Sequence, residues 1–354
     1  MDRYDFLAIE VPNAYLAFPM QTFLDPAATV TMAEISPRVG IVAIGRNEGE
    51  RLRRCLSSID VAGAPVIYVD SASSDGSSAM AAALGARAVD LDMAQPFTAA
   101  RARNAGLEAL VAGYPQVEYI QFVDGDCEFE PGWIALAIRF LDAHPDVAVA
   151  CGRRRERYPE ASFYNRICDA EWNTPVGEAR ECGGDALMRR TALTGVGGYN
   201  AALAAGEEPE LCHRLRGAGW RVWRLDAAMT IHDAAMHRFR QWWLRAKRSG
   251  IGYAQAWRMT HRRPDPLYRR ETMRALFWTL GVTGVSVGAA LLVDWRLILL
   301  APLLWGLQFF RLARRHGQAE GALLLIGKAA ETIGIATYFC RAIGGRAGGT
   351  IFYK

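Results

Sequence analysis

The first half of the chain alternates short apolar runs with segments of helical spacing. The short runs are rich in β-branched residues and predict buried strands at 39–44, 65–70, 87–91 and 119–124. Between them, apolar residues recur with helical spacing and predict helices at about 50–59, 78–84 and 98–112. This alternation predicts an α/β fold with a parallel, doubly wound sheet.

The last third of the chain has a different pattern. Residues 275–293 form a stretch without a charged side chain, and this stretch is long enough to span a bilayer. Residues 297–313 form a second apolar stretch. A further segment, 321–340, is interrupted by Lys328 and Glu331, so we expect a re-entrant or interfacial helix there rather than a third span. A buried helical hairpin in a soluble protein remains the alternative.

Arginines interleaved with tryptophans and tyrosines fill the stretch 238–274, ahead of the first predicted span. Such a stretch is typical of a collar that lies on anionic lipid headgroups, so membrane lipids are expected partners. Basic residues flank both outer ends of the apolar pair, which by the positive-inside rule predicts a cytoplasmic α/β domain on a bacterial inner membrane. The net charge of +4 is too small to indicate nucleic-acid binding.

These patterns divide the 354-residue chain into a lead-in (1–37), an α/β domain (38–237), the collar (238–274) and a membrane region (275–354). The seven cysteines include no CxxC pair, which favours a reducing compartment over a disulfide framework or a zinc site. The first residues are charged, so we expect no signal peptide there.

Carboxylates follow three of the predicted strands. Asp124-Gly125-Asp126 ends the strand 119–124, at the sheet edge where open parallel sheets bind ligands. Two carboxylates there can hold a hard divalent cation, which in turn neutralises a diphosphate. Glu48 and Asp70 follow two other strands and suit ribose hydroxyls or base N–H groups. Arg101 and Arg103, on the helix 98–112, are candidates to face the diphosphate.

Two other nucleotide-binding classes do not fit. A nicotinamide dehydrogenase needs the spacing G-x-G-x-x-G after its first strand, whereas this chain has Gly45-Arg46-Asn47-Glu48-Gly49. A phosphate-binding P-loop is also absent from the sequence.

Four segments together, in order and spacing, resemble the nucleotide-binding half of family 2 glycosyltransferases with the GT-A fold. They are 41–48, 69–77, 102–106 and 122–126, and the resemblance covers about 38–240. It implies a UDP- or GDP-sugar donor, with Asp70 on the base or ribose and Asp126, next to Asp124, ligating Mn²⁺ or Mg²⁺. Asn47, Glu48 and Asn104 lie in the same motifs and are expected on the donor side.

The second half of the α/β domain carries three further motif residues. Gly184 resembles the family's Gly-Gly segment, which lies under the donor sugar. Gly206-Glu207-Glu208 resembles the motif that supplies the catalytic base; Glu208 stands where aspartate is usual, and the base is Glu208 or Glu207, of which we favour Glu208. His232 follows a predicted strand where some related enzymes place a third metal ligand, and its imidazole would favour Mn²⁺ over Mg²⁺.

The resemblance therefore implies an inverting, metal-dependent glycosyltransferase. The membrane pattern points to a lipid-linked or glycan acceptor in bacterial exopolysaccharide or cell-envelope glycan synthesis. A polyprenyl-phosphate glycosyltransferase and a non-catalytic membrane scaffold with a transferase fold remain alternatives. A processive synthase fits less well, because its Gln-x-x-Arg-Trp motif is not matched by Gln241-Trp242-Trp243-Leu244-Arg245.

Overall fold

The computed structural model describes residues 38–344, so the predicted lead-in 1–37 lies outside the described residues. The first four strands are β1 (Val39–Gly45), β2 (Val66–Asp70), β3 (Arg87–Asp90) and β4 (Tyr119–Asp124). They pair in parallel in the order β3-β2-β1-β4. The helices between them are α1 (Glu50–Ser57), α2 (Ser77–Ala83) and α3 (Ala99–Gly113). The predicted alternation of strand and helix is confirmed for this half.

Helix α3 lies directly on the parallel strands. A Cβ atom at Gly106 would overlap the side chain of Val42 on β1, so only glycine allows this approach. The helix begins at Thr98, whose hydroxyl accepts a hydrogen bond from the Arg101 backbone N–H at 3.1 Å. This cap fixes the first turn of α3 and, with it, the position of Arg103 at the sheet edge.

Beyond β4 the sheet becomes mixed, so the parallel pattern that the first half of the chain predicts ends at this strand. Its remaining elements are β5 (Cys127–Phe129), α4 (Trp133–Ala143), β6 (Val147–Glu156), α5 (Phe163–Glu171), β7 (Gly177–Ala179), β8 (Ala186–Arg189), α6 (Arg190–Gly195), α7 (Glu207–Gly217) and β9 (Arg221–His232). The order continues β4-β8-β6-β9-β5, and β8 runs antiparallel to both β4 and β6. Strands β5, β7 and β8 were not predicted, because runs of three or four residues rarely carry a distinctive apolar pattern; β3 is as short, but it lies between two predicted helices.

Four helices complete the described chain: α8 (Phe239–Thr260), α9 (Arg269–Leu292), α10 (Trp295–His316) and α11 (Gln318–Ile343). By length and composition, α9, α10 and α11 are each able to cross a membrane. The predicted spans 275–293 and 297–313 correspond to α9 and α10. The segment 321–340 lies inside α11, which is one continuous helix, so the choice between two and three spans stays a prediction.

Helices α9 and α10 carry large apolar side chains on their surfaces. Leu291 is 80% exposed, Leu292 is 86% exposed and Phe310 is more than half exposed. A hairpin in a water-soluble protein would bury such residues, because exposed apolar patches of this size are unfavourable in water. The exposed surface therefore favours lipid around these helices over the soluble-hairpin alternative.

Helix α11 instead packs closely on α8. Its most apolar 18-residue stretch is 39% buried, against 17% for α9 and for α10. Gly250 of α8 and Gly334 of α11 lie at the crossing, and a Cβ atom at either would overlap a carbonyl oxygen of the other helix. Within α11, the two charged residues that interrupt the apolar segment form an ion pair, with Lys328 Nζ 2.7 Å from Glu331 Oε1. Through the crossing at Gly250 and Gly334, α11 is joined to α8, the helix that follows the α/β domain.

Candidate active site

The carboxyl ends of β1, β2 and β4 meet at one edge of the sheet and bring their loops together. Gly125 allows the turn after β4: its N–H donates to the Ile44 carbonyl at 2.7 Å, and a Cβ atom there would sit 3.1 Å from the same oxygen. The two aspartates on either side, Asp124 and Asp126, are thus held at the strand end, as predicted.

The loops after β1 and β2 are tied to one another. Asn47 has a left-handed backbone (φ 55°), and its side-chain oxygen accepts a hydrogen bond from the Ser74 N–H at 2.7 Å. Asp70 accepts from the Tyr68 hydroxyl at 3.0 Å and from the Ser73 N–H at 2.7 Å. Glu48 is buried and lies 2.7 Å from Arg51. Asn47 and Asp70 therefore shape the rim of the predicted nucleoside side.

A single buried arginine lies at the centre of the site. Arg103 Nη2 is 2.8 Å from Asp124 Oδ1, while Nη1 is 3.0 Å from Glu207 Oε1 and 2.7 Å from Glu208 Oε1. Its guanidinium also lies over the Tyr199 ring, 5.5 Å from the centroid. The guanidinium of Arg103 thus joins three carboxylate side chains from the end of β4 and the start of α7.

Two neighbours of Arg103 on α3 bind elsewhere. Arg101 donates to backbone carbonyls of the loop before the helix, those of Asp92, Gln95 and Pro96. Asn104 Nδ2 donates to the Tyr199 carbonyl at 2.7 Å, and Asn104 Oδ1 accepts from the Tyr199 N–H at 2.9 Å. Of the three α3 side chains that we predicted near the donor, only Arg103 reaches the strand-end carboxylates.

The sequence pattern did not reveal Arg154 and Asp185, which complete this network. Asp185 is fully buried and accepts from Thr230 Oγ1 at 2.7 Å, from the Asp124 N–H at 3.1 Å and from Arg154 Nε at 2.9 Å. Arg154 Nη2 also lies 3.4 Å from Asp124 Oδ2. Burial by itself would raise the pKa of Asp124, but Arg103 and Arg154 outweigh it and hold that pKa below its usual range.

Asp126 and His232 come together although they are far apart in sequence. His232 ends β9, and its Nε2 lies 3.4 Å from Asp126 Oδ1. The nearest acidic partner of its other nitrogen, Nδ1, is Glu156 Oε2 at 3.9 Å, and the Trp172 ring contacts the imidazole edge-on at 4.8 Å between centroids. A carboxylate and an imidazole in one half-buried pair form a donor set that suits a divalent transition metal. Asp124 lies in a second such group with Cys127 and Asp185.

Glu208 lies in the first turn of α7, next to Glu207. Gly206 starts this helix with φ 80°, a conformation that favours glycine. Burial, and then the charge of Glu207, raise the pKa of Glu208 to about 7 despite Arg103. A carboxylate with this pKa is half ionised near neutral pH, which suits a general base.

Gly184 packs against the same network. A Cβ atom there would lie 2.5 Å from Arg103 Nη2 and 2.9 Å from Asp124 Oδ2. The absence of a side chain lets the segment before β8 lie directly on this ion pair. The structure thus gathers Asp124, Asp126, Gly184, Glu207, Glu208 and His232 around Arg103 and the end of β4.

Comparisons with known proteins agree with this arrangement. Residues 41–194 match the sequence model of Glycosyl transferase family 2. The solved structure of the mannosyltransferase PcManGT from Pyrobaculum calidifontis, in complex with GDP-Man and Mn²⁺, is similar with a TM-score of 0.51 and 19% identity, over 87% of this chain and 86% of that one. The sheet order, the strand-end carboxylates and this likeness define a GT-A-like α/β domain.

A curated relative shares a short segment. The succinoglycan biosynthesis protein ExoA of Rhizobium meliloti (strain 1021) is 40% identical over 57 residues, which are 16% of this chain and 17% of that protein's length. Together with the family match over residues 41–194, this segment makes the α/β domain similar to family 2 glycosyltransferases, which are transferase enzymes.

Proposed function

We propose that this chain is a metal-dependent glycosyltransferase that moves a sugar, with inversion, from a nucleotide-diphosphate sugar to an acceptor hydroxyl. The observation that carries the proposal is the position of Glu208 and Asp124 on one guanidinium, that of Arg103. A single displacement needs a base for the attacking hydroxyl and stabilisation of the departing diphosphate within one sugar's width of each other. The network around Arg103 supplies both functions in one place.

Each residue has a role in this proposal. Glu208 takes the proton of the acceptor hydroxyl, and Glu207 shares Arg103 with it. Asp126, Asp124 and His232 would hold Mn²⁺ or Mg²⁺, which supplies charge neutralisation for the departing nucleoside diphosphate when bound.

The remaining predicted residues serve the donor. Asp70, Glu48 and Asn47 line the nucleoside side, and Gly184 lies under the donor sugar. Arg103 orients the carboxylates, while Arg101 and Asn104 hold the loops that flank α3.

We further infer a place at the membrane. The apolar surfaces of α9 and α10 support anchoring, and the flanking arginines support a catalytic domain on the cytoplasmic face of a bacterial inner membrane. The GDP-Man and Mn²⁺ of PcManGT support a nucleotide-sugar donor, a GDP- or UDP-sugar, and the succinoglycan role of ExoA supports polysaccharide synthesis. The membrane helices favour a lipid-linked saccharide as the acceptor. The intact carboxylate network speaks against a non-catalytic scaffold.

Nucleoside diphosphate release tests the proposal. The detergent-purified chain would be incubated with a panel of UDP- and GDP-sugars in Mn²⁺, in Mg²⁺ and in EDTA. We expect metal-dependent release with at least one donor, and its loss in Asp126→Asn. Asp92→Asn is the matched control, because Asp92 belongs to the second Asp-x-Asp of the sequence and its side chain accepts a local N–H, that of Ala94, at 2.8 Å. No release with any donor, or equal release by both variants, would contradict the proposal.

A further inference from the structure

Tyr268 has an unusual backbone and an unusual position. Its φ and ψ are 52° and 19°, in the left-handed region that is unfavourable for a bulky residue. The other non-glycine residues with positive φ in 38–344 are Asn47, Ala72 and Ala235, and these lie in the loops after β1, β2 and β9, at the edge of the candidate site. Strained backbone of this kind concentrates at functional sites when the surrounding structure enforces it.

The segment that connects α8 to α9 enforces this conformation. The Leu267 N–H donates to Thr260 Oγ1 at 2.9 Å, and the Tyr268 carbonyl accepts from the Thr272 N–H at 2.9 Å. Asp265 pairs with Arg180, which precedes the Gly183-Gly184 segment. The connecting segment is therefore in contact with the second half of the α/β domain, which carries Gly184 and Glu208.

The Tyr268 ring lies beside the start of α7, which carries Glu208. A Cβ atom at Gly206 would lie 3.7 Å from Tyr268 Cε2, and the Tyr268 hydroxyl is 3.4 Å from Glu181 Oε2. Tyr253 of α8 packs against the ring at 4.8 Å between centroids, and both tyrosines are half-buried. Burial, followed by the charges of Glu181 and Glu208, raises the pKa of Tyr268 well above its usual range, so its hydroxyl stays protonated.

We propose that Tyr268 and Tyr253 form a binding platform for the pyranose ring of a membrane-embedded glycolipid acceptor. This inference rests on the proposed function, because the group that approaches a general base is the acceptor hydroxyl. One face of a pyranose is made of C–H groups and packs on aromatic rings, while its hydroxyls donate to carboxylates such as Glu181. Glu181 would accept from a saccharide hydroxyl but repel a phosphate oxygen, so the platform favours a saccharide acceptor over polyprenyl phosphate.

The position of Tyr268 along the chain agrees with a lipid-linked acceptor. Tyr268 immediately precedes Arg269, the first residue of α9. A saccharide whose lipid lies in the bilayer beside α9 would then present its sugar at the start of α7.

The test uses dodecyl glucoside, galactoside, mannoside and N-acetylglucosaminide, with farnesyl phosphate as the competing acceptor, and a donor that the parent chain hydrolyses. Tyr268→Gly removes the ring while permitting the left-handed backbone, so relief of backbone strain offsets part of the packing that is lost, and the melting temperature confirms that the variant is folded. We expect about a tenfold higher KM for the accepted glycoside, with unchanged donor hydrolysis, and partial retention in Tyr268→Phe. Tyr114→Ala, at the far end of α3, is the control.

Three results would overturn the inference. Unchanged transfer by Tyr268→Gly would show that the ring does not bind the acceptor. Glycosylation of farnesyl phosphate but of none of the glycosides, or hydrolysis without transfer to any of them, would show that no pyranose binds here. Absence of both hydrolysis and transfer in the parent chain would instead refute the proposed function, and this inference with it.

Discussion

Arg103 Nη1 lies 2.7 Å from Glu208 Oε1, inside the protein, where the arginine is only 2% exposed. Through its other terminal nitrogen the same side chain holds Asp124 at 2.8 Å. The candidate base and the end of β4 are thus linked by one side chain from α3. Because Arg103 balances one buried and two partly buried carboxylates, its removal leaves charges that water reaches only in part.

Arg103→Gln is therefore expected to destabilise the fold strongly. Breaking a buried ion pair from one side typically costs about 3–5 kcal/mol. Urea unfolding in detergent, followed by tryptophan fluorescence, measures the free energy of unfolding. Arg101→Gln, two residues earlier on the same helix, loses only bonds to loop carbonyls and should cost about 1–2 kcal/mol. Equal losses in the two variants would show that the carboxylates do not depend on Arg103.

His232→Gln tests whether the imidazole selects the metal. If His232 is a ligand beside Asp126, its loss should weaken the binding of Mn²⁺ more than that of Mg²⁺, because imidazole is a softer ligand than carboxylate. We expect the half-saturating Mn²⁺ concentration for nucleoside diphosphate release to rise about 10- to 100-fold, with a smaller change for Mg²⁺. His144→Gln is the control, since that ring lies 2.7 Å from the Phe140 carbonyl on α4. A His232→Gln variant with the parent's metal response would exclude it as a ligand.

The elements that could be predicted from the sequence are those with long or distinctive local patterns. The strands β1, β2 and β4 and the helices α3, α9 and α10 follow directly from apolar periodicity and length. The positions of Asp124 and Asp126 were predictable because they follow a recognisable strand, whereas Glu208 was singled out by its resemblance to a family motif. The parallel strands bring their ends to one edge of the sheet, and Arg103 of α3 joins Glu208 of α7 to that edge.

Residues whose role depends on tertiary contacts could not be predicted in this way. Arg154 is the middle of three consecutive arginines in β6, and only the alternation of the strand turns it toward Asp124. Asp185 follows two glycines in what reads as an ordinary turn. Tyr268 sits in a short linker, and nothing local indicates either its left-handed backbone or its contact with Gly206.

The pH dependence of transfer should report Glu208. Because its pKa is raised to about 7, the ionised, basic form is lost as the pH falls below 7. The value of kcat/KM should therefore rise tenfold per pH unit below 7 and level off above it. Glu208→Gln should keep donor binding and lose transfer by about 10²–10⁴-fold. A rise centred near pH 4.5 in the parent would contradict this assignment.

Glu207→Gln provides a second test of the same carboxylate. Burial contributes most to the raised pKa of Glu208, and the charge of Glu207 contributes next, so removing that charge should shift the acidic limb to lower pH. The variant should remain active, and its kcat/KM should reach the plateau at a lower pH than in the parent. If Glu207→Gln is inactive while Glu208→Gln transfers normally, Glu207 is the base.

Stability should change in the opposite direction to activity. A carboxyl group whose pKa is raised in the folded state favours folding at low pH, and this contribution is lost between the unfolded pKa and about 7. Above pH 7, Glu208→Gln should thus unfold at a higher temperature than the parent. Thermal scans at pH 5 and pH 8 measure the difference, and an identical shift at both values would show that the gain does not come from the charge.

The glycine crossing between α8 and α11 is expected to hold the last helix in place. A Cβ atom at Gly334 would overlap the Lys247 carbonyl oxygen, so Gly334→Ala must push the helices apart and should cost about 1–3 kcal/mol. Gly284→Ala on α9 is the matched control: nothing lies within 4 Å of the added atom, and alanine is the better helix former. Thermal unfolding and limited proteolysis in the same detergent would compare the two. Because α8 also carries Tyr253, Gly334→Ala should in addition slow sugar transfer to the acceptor more than donor hydrolysis. If Gly334→Ala is as stable and as active as Gly284→Ala, then α11 is not held by the crossing at Gly250 and Gly334.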